Sequence, residues 1–273
     1  MGQCAVAPIP CAGVIFDLDD TLIPTREIDA LAVAEAARSV AARAGCEADL
    51  LRSCFRAALE RDPFPPEGVV RTLEDWRVSL WTKAITAARA DDAATGPTSA
   101  PVKDLAAEAY RLWMAARLAR CRFSPATEAM LESLRRAGFA LALITNGSPE
   151  VQRPKLVACG ADRFFQPDRV LVGGERAEAK PHPSIFIEAC AAMGTAPEET
   201  VMVGDSLPAD IYGAQLAGLR ASIWVIGAKR ERGQRASWHG APLRPARVVR
   251  AAAEVPGLLV FRPGGGGRQV VPT

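Results

Sequence analysis

Two carboxylates lie two residues apart, directly after an apolar run near the start of the chain. Gly13 to Phe16 predicts a buried strand, and Asp17 and Asp19 follow it. In open α/β sheets, ligands bind at the carboxyl ends of the strands, and carboxylates this close repel unless a cation or a proton intervenes. An acidic turn with solvated carboxylates is the ordinary alternative. The pair therefore indicates a binding site only if residues elsewhere in the chain support it.

Three further groups of polar residues stand where strands are expected to end or a helix to begin. They are Thr145-Asn146-Gly147 after the apolar run 139–144, Lys180 just before Pro181, and Asp205 with Asp210 after the apolar run 201–204. Since parallel strands present their carboxyl ends at one edge of a sheet, these side chains are expected to meet Asp17 and Asp19 in one crevice. Four carboxylates there would raise each other's pKa, so the sequence calls for a divalent cation.

The order Asp-x-Asp-x-Thr, Thr-Asn-Gly, Lys-Pro and Gly-Asp-x4-Asp resembles the motifs of the haloacid dehalogenase superfamily of phosphotransferases. The resemblance implies that Asp17 attacks phosphorus and forms an aspartyl-phosphate, which divides one difficult step into two. Asp19 would give a proton to the leaving oxygen and later take one from the incoming water. Asp17, Asp205 and the backbone carbonyl of Asp19 would hold Mg²⁺, which favours oxygen ligands, and Asp210 would support this metal site.

A second set of residues is expected to bind the phosphate group. Its members are Leu18, Asp19, Thr145, Asn146, Gly147 and Lys180. Hydroxyl, amide and backbone N–H groups would contact the phosphoryl oxygens, and Gly147 lets the backbone approach closely. Lys180 would neutralise the nucleophile and the transferring group as a point charge. The neighbouring Asp20 and His182 are expected to have structural roles.

Residues 23–121 separate the first strand from the remaining strand patterns. They predict four helices, at about 26–44, 47–61, 68–90 and 102–120. From residue 122 onward, short apolar runs alternate with helical patterns, which is typical of a parallel sheet with helices on both faces. The sequence therefore predicts an α/β fold with a doubly wound, Rossmann-like core (1–22 and 122–262), an inserted all-helical cap domain (23–121) and a disordered tail (263–273).

Two other classes of function fit parts of this pattern. A dehalogenase also uses an Asp nucleophile, but it has no leaving alkoxide to protonate and needs no metal. Asp19 and the pair Asp205 and Asp210 therefore favour phosphate chemistry. A non-catalytic binding or scaffold protein of this superfamily is expected to have lost one of the motif residues, and this chain has all of them.

A closer resemblance covers about residues 13–260 and implies the removal of the 9-phosphate of a sialic acid. It is carried by the stretches 73–81, 110–118, 171–176, 180–186 and 201–206, which look like animal phosphatases of this kind. Arg77 and Arg117, among tryptophans of the cap helices, are candidates to pair with the sugar carboxylate. The ordinary alternative places the tryptophans in the cap core and both arginines in solvent. A phosphatase for another small phosphometabolite, such as phosphoglycolate, stays open.

Composition narrows the expected partners and compartment. The net charge of +2 is too small to indicate nucleic acid or a membrane surface. No apolar run is long enough to cross a bilayer, and the first residues lack the pattern of a signal peptide, which favours the cytoplasm. The 7 scattered cysteines and 2 histidines do not form a zinc motif. A small sugar phosphate is the expected partner, and the sequence leaves the oligomeric state open.

Overall fold

The computed structural model describes residues 7–62, 72–91, 100–227, 237–238 and 241–263 of the chain. Contacts within the chain divide it into two units. The core unit is Met1–Thr25 with Cys121–Thr273, and the helical unit is Arg26–Arg120. Whether the two units are separate domains with the boundaries given above stays a prediction.

Strands of the core unit form a six-stranded sheet, a two-stranded parallel pair and a two-stranded antiparallel pair. In chain order they are β1 (Ile9–Cys11), β2 (Gly13–Phe16), β3 (Ala140–Thr145), β4 (Val170–Val172), β5 (Thr200–Gly204), β6 (Ala221–Val225), β7 (Ser237–Trp238), β8 (Ala241–Pro242), β9 (Arg247–Val249) and β10 (Leu259–Phe261). The main sheet has the order β4-β3-β2-β5-β6-β9, and every neighbouring pair in it is parallel. All four residues of β2 are buried, as an uninterrupted apolar run predicts for a strand covered on both faces.

Helices follow the strands in the alternation that the sequence predicts. In chain order they are α1 (Thr25–Ala44), α2 (Ala48–Arg61), α3 (Leu73–Asp91), α4 (Val102–Arg120), α5 (Pro125–Arg136), α6 (Pro149–Ala158), α7 (Pro183–Met193) and α8 (Gly213–Leu216). α7 packs its apolar face on the sheet, where Ile185 and Phe186 share a buried cluster with Ile15 of β2 and Met202 of β5. The α/β class with a parallel sheet is confirmed.

The strand order decides where the site can form. β2 lies between β3 and β5, and all three run parallel. The segments that follow these strands therefore begin at the same edge of the sheet. Asp17 directly follows β2, Thr145 is the last residue of β3, and Asp205 directly follows β5.

The helical unit has its own core, built around aromatic side chains and the alanines of α1. Phe55 of α2 stacks on Trp81 of α3 with ring centroids 4.0 Å apart, and Trp113 of α4 meets Phe55 edge-on at 5.3 Å. Trp76, Trp81 and Trp113 are all buried in this cluster. The part of the ordinary alternative that places the tryptophans in the core of the helical insertion is confirmed.

Several boundaries differ from the sequence-based expectation. Lys180 does not open a helix, because α7 begins at Pro183. α3 begins at Leu73 after Thr72, whose hydroxyl accepts the Asp75 N–H at 3.0 Å, and the expected residues 68–71 lie outside the described part of the chain. After β5 the chain forms a π-helical turn, Leu207–Tyr212, before α8 begins.

Near both ends of the chain, the structure contains strands that the sequence analysis does not predict. β1 pairs with β10 in parallel, and β9 extends the main sheet beside β6. Of the tail expected to be disordered, residues 264–273 lie outside the described part of the chain. Within the described residues, no helix combines the length and the apolar character that crossing a bilayer requires.

Candidate active site

Three buried aspartates converge at the carboxyl edge of the sheet. Asp17, Asp205 and Asp210 each place one carboxylate oxygen within 4.8 Å of the others. Asp205 is 8% exposed, and the indole N–H of Trp224 donates to its backbone carbonyl at 2.9 Å. Carboxylates this close in a buried setting need positive charge or protons between them. Of the four carboxylates expected in this crevice, Asp17, Asp205 and Asp210 thus lie close together.

Lys180 lies among these carboxylates, although it comes from a loop between β4 and α7. Its ammonium donates to Oδ1 of Asp17 and to Oδ1 of Asp210, each at 2.7 Å, and to the carbonyl of Ile144 at 3.0 Å. The three donors of the ammonium thus each have an acceptor. Burial lowers the pKa of Lys180, but the two carboxylates outweigh it and hold that pKa above its usual range. Lys180 is therefore a fixed positive charge beside the expected nucleophile.

Asp17 keeps one carboxylate oxygen that the described protein groups leave unsatisfied. Burial is the main cause that raises the pKa of Asp17 to about 8, and Asp210 and Asp19 add to it against the opposing charge of Lys180. Oδ2 of Asp17 is buried and has no hydrogen-bond partner among the described residues. An unsatisfied carboxylate oxygen beside two further carboxylates matches the oxygen ligands of Mg²⁺. The residues present thus fit the metal that the motifs imply.

Asp210 is engaged on both of its oxygens. Oδ1 accepts from Lys180, and Oδ2 accepts from the Ser206 N–H at 2.9 Å. Its carboxylate also lies against Gly204, where an added Cβ would come within 2.3 Å of Oδ2. Glycine at the end of β5 is thus required by the close approach of Asp210. These contacts connect Asp210 to Lys180 and to the turn after β5, and its supporting role at a metal site stays a prediction.

The carboxylate of Asp19 has its own set of donors. Lys155 of α6 donates to both oxygens, at 2.8 and 2.9 Å, Gln152 donates to Oδ2 at 3.0 Å, and the hydroxyl of Thr25 donates to Oδ1. Burial raises the pKa of Asp19, but the charge of Lys155 and these hydrogen bonds outweigh it and hold the pKa below its usual value. The expected proton donor therefore has a lysine partner different from that of Asp17.

Sequence reasoning missed Lys155 and Gln152. Both are buried, and they lie three residues apart on α6, so their side chains share one helix face. Two polar residues at this spacing, in the helix that follows the Thr-Asn-Gly motif, were the pattern from which a shared contact with the site could have been predicted. The sequence also did not indicate that the hydroxyl of Thr25 donates to Asp19.

The expected phosphate-binding residues surround the same edge. Thr145 is 1% exposed at the end of β3, and Gly147 has a φ of 108°, which glycine adopts at no steric cost. Asn146 donates to the Lys180 carbonyl at 2.8 Å and accepts from the Lys180 N–H at 3.0 Å. The Asn146 amide thus fixes the segment that carries Lys180, a role the sequence did not indicate, and phosphate contact by these residues stays a prediction.

The turn after β2 places the remaining motif residues. Leu18 is fully buried, and its carbonyl accepts from the backbone N–H groups of Leu22 and Ile23, both at 3.0 Å. Asp20 has a φ of 61° and is part of this turn, in keeping with its expected structural role. His182 also has a structural contact, because its Nδ1 accepts the Ser184 N–H at the start of α7.

In the helical unit, Arg77 and Arg117 lie over the Trp113 ring, with guanidinium carbons 5.1 and 5.0 Å from its centroid. Arg117 is 8% exposed and forms an ion pair with Asp29 at 2.6 Å. Burial, and after it the charge of Arg117, lowers the pKa of Arg77 to about 10. The alternative in which both arginines are solvated is wrong.

Comparisons with known proteins agree with this geometry. A family model described as haloacid dehalogenase-like hydrolase matches residues 11–218. The N-acylneuraminate-9-phosphatase of Mus musculus is 34% identical over 248 residues, which cover 90% of this chain and 92% of the mouse protein. The phosphoserine phosphatase of Thermus thermophilus is 50% identical over 101 residues, but these cover only 37% of this chain and 39% of that protein.

A solved structure shares the fold over nearly the whole chain. The HAD hydrolase YfnB from Bacillus subtilis aligns with a TM-score of 0.62 and 20% sequence identity. The alignment covers 92% of this chain and 99% of that structure. At this sequence identity, the likeness concerns the fold alone.

Proposed function

Since the chain belongs to the haloacid dehalogenase-like hydrolases and is a phosphatase of that family, we propose that it removes the 9-phosphate of an N-acylneuraminate with the help of Mg²⁺. The observation that carries the chemical part of this proposal is the arrangement of two separate lysine–aspartate pairs. Lys180 holds Asp17, and Lys155 holds Asp19. One carboxylate is thereby prepared for attack and the other for proton transfer.

The proposed reaction begins with attack of an Asp17 carboxylate oxygen on phosphorus. Lys180 balances the charge of the attacking carboxylate and of the phosphoryl oxygens, and Asp19 gives a proton to the leaving oxygen. Water then attacks the aspartyl-phosphate while Asp19 takes a proton from it, which regenerates both residues. Mg²⁺, held by Asp17, Asp205 and the backbone carbonyl of Asp19, would neutralise negative charge on the phosphate.

The arrangement favours phosphate transfer over the two other classes considered. A halide leaves without a proton, so a dehalogenase has no use for the three donors that hold Asp19. A binding protein would have no need to keep buried carboxylates close together at a cost in stability. A cytoplasmic location stays a prediction.

The choice of substrate rests on the coverage of the relatives. The match to the mouse relative covers 90% of the chain, so it includes most of the helical unit. By its name, that relative acts on an N-acylneuraminate 9-phosphate. The shorter match to a phosphoserine phosphatase indicates that part of this sequence is common to phosphatases with different substrates. Selectivity for the sugar acid is therefore expected to come from residues of the helical unit.

Arg77 is the better candidate of the two arginines for the sugar carboxylate. Arg117 already pairs with Asp29, whereas Arg77 contacts Met114 Sδ at 3.2 Å and forms no ion pair within the described residues. Arg77→Ala is expected to lower kcat/KM for the sialic acid phosphate by roughly ten- to a hundredfold, the value of a charge-assisted contact, while p-nitrophenyl phosphate is hydrolysed as before. Arg111→Ala, which removes an exposed arginine of α4, is the matched control.

The direct test of the proposed function is phosphate release from a panel of phosphomonoesters. The panel contains N-acetylneuraminate 9-phosphate, phosphoglycolate, phosphoserine and glyceraldehyde 3-phosphate, each assayed with Mg²⁺ and after exhaustive chelation. We expect the highest kcat/KM for the sugar acid phosphate and loss of activity on chelation. A preference for phosphoglycolate or another small phosphate would overturn the substrate, and undiminished activity without metal would overturn the Mg²⁺ requirement.

A further inference from the structure

The carboxylate of Asp19 accepts four hydrogen bonds, and it cannot keep all of them while it carries and donates a proton. Oδ1 accepts from Thr25 and from Lys155, and Oδ2 accepts from Gln152 and from Lys155. A carboxylate offers about four lone-pair positions, and these four contacts use all of them. No position is left for a proton or for the leaving oxygen, so at least one contact must be released during the reaction.

The four contacts are not equivalent. The Gln152 amide donates to Asp19 Oδ2 at 3.0 Å, and the same nitrogen donates to the Asn146 carbonyl at 2.6 Å. Gln152 can therefore release Oδ2 and keep its shorter bond. Lys155 reaches Oδ1 at 2.8 Å and Oδ2 at 2.9 Å, so it can remain on Oδ1 when Oδ2 turns to the substrate.

Lys155 has no other role in the proposed reaction that would explain its position. It is 7% exposed, and its two hydrogen-bonded acceptors are the two oxygens of Asp19. It is also distinct from Lys180, which contacts Asp17 and Asp210. A buried lysine is retained where a partner charge requires it, and that partner here is Asp19.

We propose that Lys155 is the positioning residue for Asp19: it holds Oδ1 throughout the reaction, whereas Gln152 releases Oδ2, which carries the proton. The inference rests on the proposed phosphatase function. As the Asp17–phosphorus bond forms and the bond from phosphorus to the leaving oxygen breaks, the proton moves from Oδ2 to that oxygen. Asp19 becomes a carboxylate at that moment, and the ammonium of Lys155 stabilises the new charge.

The test uses two substrates that differ in their need for a proton. N-acetylneuraminate 9-phosphate has a basic alkoxide as leaving group, whereas p-nitrophenyl phosphate has a leaving group that is stable without a proton. Because kcat/KM covers only the steps up to departure of the leaving group, it isolates the first proton transfer. Lys155→Met is expected to lower kcat/KM roughly 10- to 100-fold for the alkyl phosphate and less than about threefold for the aryl phosphate.

Three further variants separate positioning from a structural role. Lys155→Arg keeps the charge and is expected to restore most of the alkyl-to-aryl ratio. Gln152→Leu is expected to change that ratio by less than about threefold, because its contact is the one released. Arg153→Met removes an exposed pair with Glu175 on the same helix and is expected to leave both substrates unaffected.

Each other result contradicts the proposal. Equal losses on both substrates in Lys155→Met, or no loss on either, would overturn the positioning role. A loss in Gln152→Leu as large as that in Lys155→Met would overturn the assignment of Oδ2. If Lys155→Met does not fold, Lys155→Gln, which keeps a donor without charge, must show the same selective loss. Failure of the wild type to hydrolyse either substrate would instead overturn the proposed function, and the inference with it.

Discussion

Replacing Lys180 with Met is expected to lower the free energy of unfolding of the core by about 3–5 kcal/mol at neutral pH, the usual effect of removing one partner of a buried ion pair. The Lys180 side chain is 2% exposed, and its partners Asp17 and Asp210 are 9% and 0% exposed. The substitution leaves Asp210 as an unpaired buried charge, and Asp17 too wherever it has lost its proton, because it removes their shared cation. Solvent cannot replace it, because neither carboxylate is accessible.

Urea unfolding followed by circular dichroism measures this loss, and a double-mutant cycle with Asp210→Asn assigns it. Because Asp210 is left without a partner charge once the ammonium is gone, the double variant should be more stable than the sum of the single losses by about 0.5–3 kcal/mol. The control is Arg153→Met, which breaks an exposed pair and should cost less than about 1 kcal/mol. A loss in Lys180→Met as small as in this control, or strict additivity in the cycle, would refute the reasoning.

Three other predictions follow from the same contacts. Asp17 binds its proton more tightly in the folded protein, with a pKa of about 8, than in the unfolded chain at about 3.9. Without metal, the free energy of unfolding should therefore fall as the pH rises from about 4 to 8 in pH-dependent urea titrations, and Mg²⁺ should reduce this fall. Gly204→Ala forces Asp210 away from a Cβ only 2.3 Å distant, so it should destabilise the core by about 1–3 kcal/mol, and an unchanged midpoint of urea unfolding would contradict this. Trp81→Ala removes the ring stacked on Phe55 and should cost about 3–5 kcal/mol in thermal or urea unfolding.

The sequence predicted the strands that carry the site because each is a continuous apolar run that ends in polar residues. Asp17, Thr145 and Asp205 were predicted to meet without any knowledge of the strand order, since the carboxyl ends of parallel strands share one edge. The paired strands β1 and β10 were missed because three-residue strands carry too little pattern to detect.

Contacts that depend on helix orientation could not be predicted. Gln152 and Lys155 show the spacing of a shared helix face, but the sequence does not say that this face is turned toward Asp19. In the same way, the amide of Asn146 was expected to bind phosphate. Only the structure shows that this amide also forms hydrogen bonds with the backbone of Lys180. Local sequence patterns indicate which polar residues face a crevice, whereas tertiary packing determines which hydrogen-bond partner each of them contacts.

Covalent attachment of phosphate to Asp17 is the most direct measurement of the central claim. The protein is mixed with N-acetylneuraminate 9-phosphate and Mg²⁺, quenched in acid during turnover, digested and analysed by mass spectrometry. The proposed reaction predicts a phosphorylated peptide containing Asp17 in the wild type, and neither this adduct nor turnover in the nearly isosteric, folded Asp17→Asn variant. Phosphate attached to another residue, or substantial phosphate release by Asp17→Asn, would contradict the account.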